Sequence, residues 1–181
     1  CAALSLNFAG FFIYVLSAPV FLMTHLGLPE TGFFWLFAPV TCGLIGGAWL
    51  SGRLAGRLTP ARTIAASYAV MAVAAAANVG INIAWPASLP WAVLPLVVYT
   101  LGMALAMPSL TLLALDPFPE QRGLAASCQA FFQSTFNSLA AALIVPALWG
   151  STLTLALGMA GLMALGGIAA RADQRLRLLP R

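Results

Sequence analysis

Six times along this chain an apolar run lasts long enough to cross a bilayer, and polar residues crowd into the short breaks between. A bilayer core takes about 20 residues of apolar helix. The runs fall at roughly 4–24, 33–53, 63–85, 91–115, 122–146 and 152–171. Each is apolar all round rather than along one stripe, as a helix in lipid must be. The pattern predicts an all-α membrane protein, one domain of six transmembrane helices over residues 1–181.

The few polar residues inside the runs recur at helical spacing. In the first run Asn7, Phe11 and Tyr14 stand at i, i+4 and i+7 on one face, Ser17 follows three residues on, and Pro19 should kink the helix. Two readings stay open there: hydrogen bonds to neighbouring helices, or a stripe facing a cavity. In the second run Gly43, Gly47, Ser51 and Ala55 recur every four residues, which predicts close approach of another helix backbone. In the third, Asn78 and Asn82 read as structural bonds beside the packing alanines Ala74 to Ala77. The fourth holds Pro95 and Pro108, with Tyr99, Met103 and Met107 at i, i+4 and i+8. Such a stripe is ordinary core, or the soft wall of an adaptable pocket. The fifth carries Gln129, Gln133 and Asn137 four apart, with Phe132 and Phe136 one position away. Three amides in hydrocarbon are costly without partners, so this row reads as the edge of a water-accessible cavity. The sixth run has no polar stripe beyond its first turn and reads as peripheral.

Composition and charge add orientation. The chain is 62% hydrophobic and 7% charged, with mean hydropathy +0.98, against about 25% charged in soluble domains. All eight basic residues are arginine. Arg53, Arg57 and Arg62 flank the break near 54–62, Arg122 closes that near 116–122, and Arg171, Arg175, Arg177 and Arg181 mark the tail. The breaks near 25–32, 86–90 and 147–151 have none. Positive ends stay inside, so both termini are expected in the cytoplasm. Trp35, Trp85, Trp91 and Trp149 flank the outer breaks as an interfacial belt would, while Trp49 is expected between helices. A net charge of +4, so scattered, makes no nucleic-acid footprint. The expected partner is the lipid bilayer.

Candidate chemistry is sparse. Cys1, Cys42 and Cys128 have no metal-site spacing and read as small buried apolar residues. His25 and Glu30 read as solvated loop residues, and no Asp, Glu, His or Arg lies deep in a run. Asp116, Pro117, Pro119, Glu120 and Arg122 read as a compact cytoplasmic turn, with Asp116 and Pro117 suited to cap the next helix. No phosphate loop, zinc helix or nucleophile triad is visible, so neither an enzyme nor a cofactor is expected. The apolar run begins almost at Cys1, without the basic start or cleavage site of a signal peptide. The expectation is a fragment cut just before a span.

FAGFFIYVLSAPVFL, SGRLAGRL and LALDPFPEQRGLAASCQAFFQS together resemble the C-terminal half of major facilitator superfamily transporters. They resemble in particular the bicyclomycin-resistance (Bcr/CflA) drug:proton antiporters. The likeness covers essentially the whole chain, and LDPFPEQRG is its most specific part. The arginine turn looks like a worn copy of the superfamily's G-x-x-x-D-R-x-G-R loop, with Ser51 and Gly52 before Arg53 and the acidic residue absent. It therefore carries over a tight cytoplasmic hinge and no charge relay.

The resemblance implies that this chain is helices seven to twelve of a twelve-helix fold, its partner being an N-terminal six-helix half. Helices seven, eight, ten and eleven of the family lie near the central cavity; nine and twelve are peripheral. The antiporter signature and the coupling carboxylate belong to the other half. The implied function is efflux of drug-like molecules across a bacterial inner membrane, driven by the proton gradient through alternating access. Candidate cavity residues are Asn7, Phe11, Tyr14, Ser17, Tyr99, Met103, Met107, Gln129, Phe132, Gln133, Phe136 and Asn137. Arg53, Arg57, Arg62, Asp116, Glu120 and Arg122 would form part of a cytoplasmic gate, and Gly43, Gly47 and Ser51 a packing stripe. Two alternatives remain: an exporter of another small solute such as a nucleoside or sugar, and a self-contained six-span scaffold that moves nothing.

Overall fold

The structure, a computed structural model, describes residues 2–27, 29–84 and 88–177, apart from the side chains of Glu30, Thr31 and 173–177. Cys1, Trp85 and Arg181 lie outside it, as do the side chains of Glu30, Arg175 and Arg177. Among the described residues every regular element is helical. The principal helices are α1 (Ala2–Leu16), α2 (Phe34–Leu54), α3 (Pro60–Ala84), α4 (Leu94–Leu115), α5 (Arg122–Leu139) and α6 (Thr152–Arg177).

Among the described residues five stretches are long and apolar enough to cross a membrane: α2, α3, α4, Arg122–Leu148, and Thr152–Ala172 within α6. The first run, expected as a full span kinked at Pro19, is helical from Ala2 to His25 but for a turn at Ser17; the 15-residue α1 gives way to a π-helical segment, Val20–His25, and α1 alone falls short of a span. Pro19 explains the change, because it has no N–H to give the preceding turn. Beyond it the bonding becomes wider, with Leu26 N–H donating to the Phe21 carbonyl. The fifth run repeats the device. After α5 comes a π-helical segment, Ala140–Ile144, and a last α-turn, Val145–Leu148, that contains Pro146. Pro95 was expected inside a helix but stands in the first turn of α4. A missing N–H is no loss there, and so residues 91–93 stay outside the helix.

α4 is flanked by α2 and α3, α1 by α6 and α5, and α3 also meets α6. The buried core runs through these contacts and includes Tyr14, Phe21, Met71, Leu96, Tyr99, Met103, Leu155 and Met159. Gly43 and Gly47 face α4 as their spacing implied. A Cβ at Gly43 would stand 2.5 Å from the Val97 carbonyl oxygen, and one at Gly47 would collide with the Leu101 carbonyl. Ser51 is half-buried, and Ala55 caps α2 exposed, so the close approach fades toward the arginine turn. Gly56 closes that turn at φ 79°, a conformation that favours glycine.

Several expectations are corrected. Trp49 is 57% exposed rather than held between helices, with the Arg53 guanidinium 4.1 Å from its ring centroid. In an all-apolar run nothing in the spacing tells a lipid-facing tryptophan from a helix-facing one. Cys42 and Cys128 are exposed on their helices and not buried. Asp116 ends α4, its N–H donating to the Leu112 carbonyl, and does not cap α5, which starts after Gln121. α6 lacks a polar stripe, yet one face is closely packed on α1 and α3 through Leu155, Ala156 and Met159. Its other face, with Leu157, Leu165 and Ile168, is open.

Candidate functional site

The polar residues of α1 are tied to other helices. Asn7 Nδ2 donates to the Tyr68 hydroxyl of α3 at 2.6 Å, and the Tyr99 hydroxyl of α4 donates to the Asn7 carbonyl at 3.3 Å. Asn78 Nδ2 of α3 donates to the Tyr14 hydroxyl at 2.8 Å. Asn82 bonds back to Asn78 on its own helix. Ser17 Oγ accepts Trp149 Nε1 at 3.1 Å, and His25 Nε2 lies 3.1 Å from the Trp149 carbonyl oxygen. Each polar group in hydrocarbon needs such a partner. Asn7 sits under Gly166, where an added Cβ would come within 2.6 Å of Asn7 Oδ1. Phe11, Tyr99 and Met103 are buried beside this network, and Met107 is half-buried.

α5 is different. It leans chiefly on α1 and is the least buried of the long apolar stretches. Gln129 is buried, and Gln133 and Asn137 are half-buried along the edge that meets the bundle. Gln129 Oε1 and Asn137 Oδ1 are shielded from solvent yet accept no hydrogen bond among the described residues. Asn7 Oδ1 is the third such atom, but its amide nitrogen is engaged. Beside the amide row, Phe131 and Phe132 are 68% and 60% exposed, their rings edge to face at 6.1 Å.

Between α1 and α5 lies a cavity of about 480 Å³, lined by Ser5 and Leu6 on one side and Phe132, Thr135, Phe136 and Leu139 on the other. That volume lies within the usual range for small-molecule sites, about 300–1,000 Å³. The structure thus brings Phe132 and Phe136 to one apolar hollow with the first turns of α1, whereas Gln129, Gln133 and Asn137, on the neighbouring face of α5, are not among the residues that line it. It places Tyr14, Ser17 and Tyr99 apart from it, inside the bundle. Arg53, Arg57, Arg62, Asp116, Glu120 and Arg122 are all exposed, at or near helix ends.

Sequence analysis missed Tyr68, Ser5 and Thr135, and it missed the joining of His25, Trp149 and Ser17. Tyr68 is the one tyrosine that was not on a polar row, although Ser67 and Thr63 precede it on α3. The Ser17–Trp149 bond spans 132 residues of sequence, beyond the reach of any local pattern.

A family model described as Major Facilitator Superfamily matches residues 1–145. No curated protein and no solved structure matches the chain.

Proposed function

This chain belongs to the major facilitator superfamily, and from that premise we propose that it is one half of a proton-coupled exporter of drug-like molecules, with α5 on the solute side. Membership makes it a multi-pass membrane transporter rather than an enzyme. The finer reading assigns it to the bicyclomycin-resistance type of drug:proton antiporter. It has both ends of the six-helix unit in the cytoplasm of a bacterial inner membrane. An N-terminal half would supply the coupling carboxylate.

The observation that carries the reading is the unmet polar demand of α5. Gln129 Oε1 and Asn137 Oδ1 have no hydrogen-bond partner among the described residues, on the helix whose Phe132 and Phe136 line a cavity of about 480 Å³. Buried carbonyl oxygens ordinarily find a donor. Water or the donors of a passing solute would meet this demand as the two halves rock about the cavity. Apolar area with a few amides suits varied, mostly apolar molecules. The arginine edge at Arg53, Arg57, Arg62 and Arg122, with Asp116 and Glu120, would form part of the cytoplasmic gate.

The test is drug-dependent proton movement in everted membrane vesicles containing the intact transporter. With a proton gradient imposed, a substrate such as a cationic dye should be taken up and should dissipate the gradient. Uptake unaffected by collapsing the gradient, or a gradient indifferent to every drug tried, contradicts the proposal. Cysteines at Pro29 or Ser88 should be labelled from outside intact cells, and cysteines at Thr59 or Gln121 should not.

A further inference from the structure

Between α3 and α6 lies a groove of about 400 Å³. Its walls are mostly apolar, with the small residues Ala65, Ala69 and Ala72 on α3 and Ala164 and Gly167 on α6 set between larger ones such as Ile64 and Met163. Arg171 lines its end and is exposed. We propose that this groove is a binding site for an anionic phospholipid, with an acyl chain along the alanine walls and the phosphate on Arg171.

Three observations carry the assignment. First, Ala65, Ala69, Ala72 and Ala164 are exposed on helices that cross the membrane, so the trough faces hydrocarbon. An acyl chain is the solvent there. Second, the small residues form a recess rather than a ridge, so a chain lying in it gains contact on two sides. Third, Arg171 stands where the apolar run of α6 gives way to polar residues. Among the described residues that line the groove it carries the only formal charge. A guanidinium at that boundary pairs with phosphate in bidentate fashion, and basic pockets between membrane helices favour anionic head groups. Tyr68 gives the groove a fixed wall, because its hydroxyl accepts the Asn7 amide of α1.

The experiment is native mass spectrometry of the intact transporter, released from membranes containing equal parts phosphatidylglycerol and phosphatidylcholine. The wild type should retain one phosphatidylglycerol in preference to phosphatidylcholine. Arg171→Gln should lower that preference about fivefold, the effect of one arginine near a membrane surface. Ala69→Phe should reduce retention of both lipids by filling the trough. Arg122→Gln, elsewhere on the arginine edge, should leave retention unchanged. Thermal unfolding in detergent checks that each variant is folded. Equal retention of the two lipids by the wild type overturns the proposal. So does a preference untouched by Arg171→Gln, or an equal loss from Arg122→Gln. Displacement of the lipid by free glycerol phosphate would reduce the site to a phosphate contact and also overturn it.

Discussion

The first and fifth runs each carry polar residues along one helical face, and the bundle treats them in opposite ways. On α1, the side chains of Asn7, Tyr14 and Ser17 bond to Tyr68, Asn78 and Trp149, and the Asn7 carbonyl accepts from Tyr99. These bonds tie α1 to α3, to α4 and to the connection between α5 and α6. On α5, Gln129 and Asn137 hold side-chain carbonyl oxygens that no donor meets among the described residues. The first row is spent on joining helices. The second is not spent in that way, and it lies beside two exposed aromatic rings, Phe131 and Phe132. A polar row at helical spacing thus says little about role until the partners are known.

The contrast predicts where substitutions hurt the fold and where they change selectivity. The largest effect should come from Tyr99→Ala. Tyr99 is fully buried, and the cavity left by a large aromatic should destabilise the protein by about 3 kcal/mol or more. Unfolding in mixed micelles by rising dodecyl sulfate reads this directly; an unchanged midpoint would remove Tyr99 from the core. Gly47→Leu comes next. Its side chain would drive α2 off the Leu101 backbone at about 1–3 kcal/mol, lowering the folded yield in the membrane. Tyr14→Phe should be smaller, about 0.6 kcal/mol, the mean for one hydrogen bond between membrane helices. A double-mutant cycle with Asn78→Ala should recover that coupling, and the order of exported compounds should not change. A changed order would move the α1 row to the solute side and erase the distinction from α5.

Much of this was legible in the sequence, for identifiable reasons. Small residues every four positions ask for a close neighbour, and Gly43 and Gly47 have one. Pro19 was expected to kink its run and adjoins a π-helical segment, whereas Pro108 sits inside an unbroken α4. Three amides in a row are conspicuous in hydrocarbon, which is why α5 stood out. Partner identity was not legible. Tyr14 and Asn78 are 64 residues apart, and spacing along one helix cannot name the helix opposite. For the same reason the α1 row stayed open between bonding and cavity. Trp49, Cys42 and Cys128 were misplaced because an all-round apolar helix gives no phase to tell lipid from protein. The shortening of α1 was missed because hydropathy counts residues and not the bonds between them.

The most direct measurement of the central claim is the effect of Gln133→Ala in the intact transporter, read as a resistance profile across a drug panel beside the amount of protein in the membrane. Stability should change by no more than about 0.5 kcal/mol, and expression should stay near normal. The account predicts a new rank order of exported compounds, because each would use the amide differently. A uniform fall in resistance that tracks a fall in protein level would contradict it and make the α5 row structural, like that of α1.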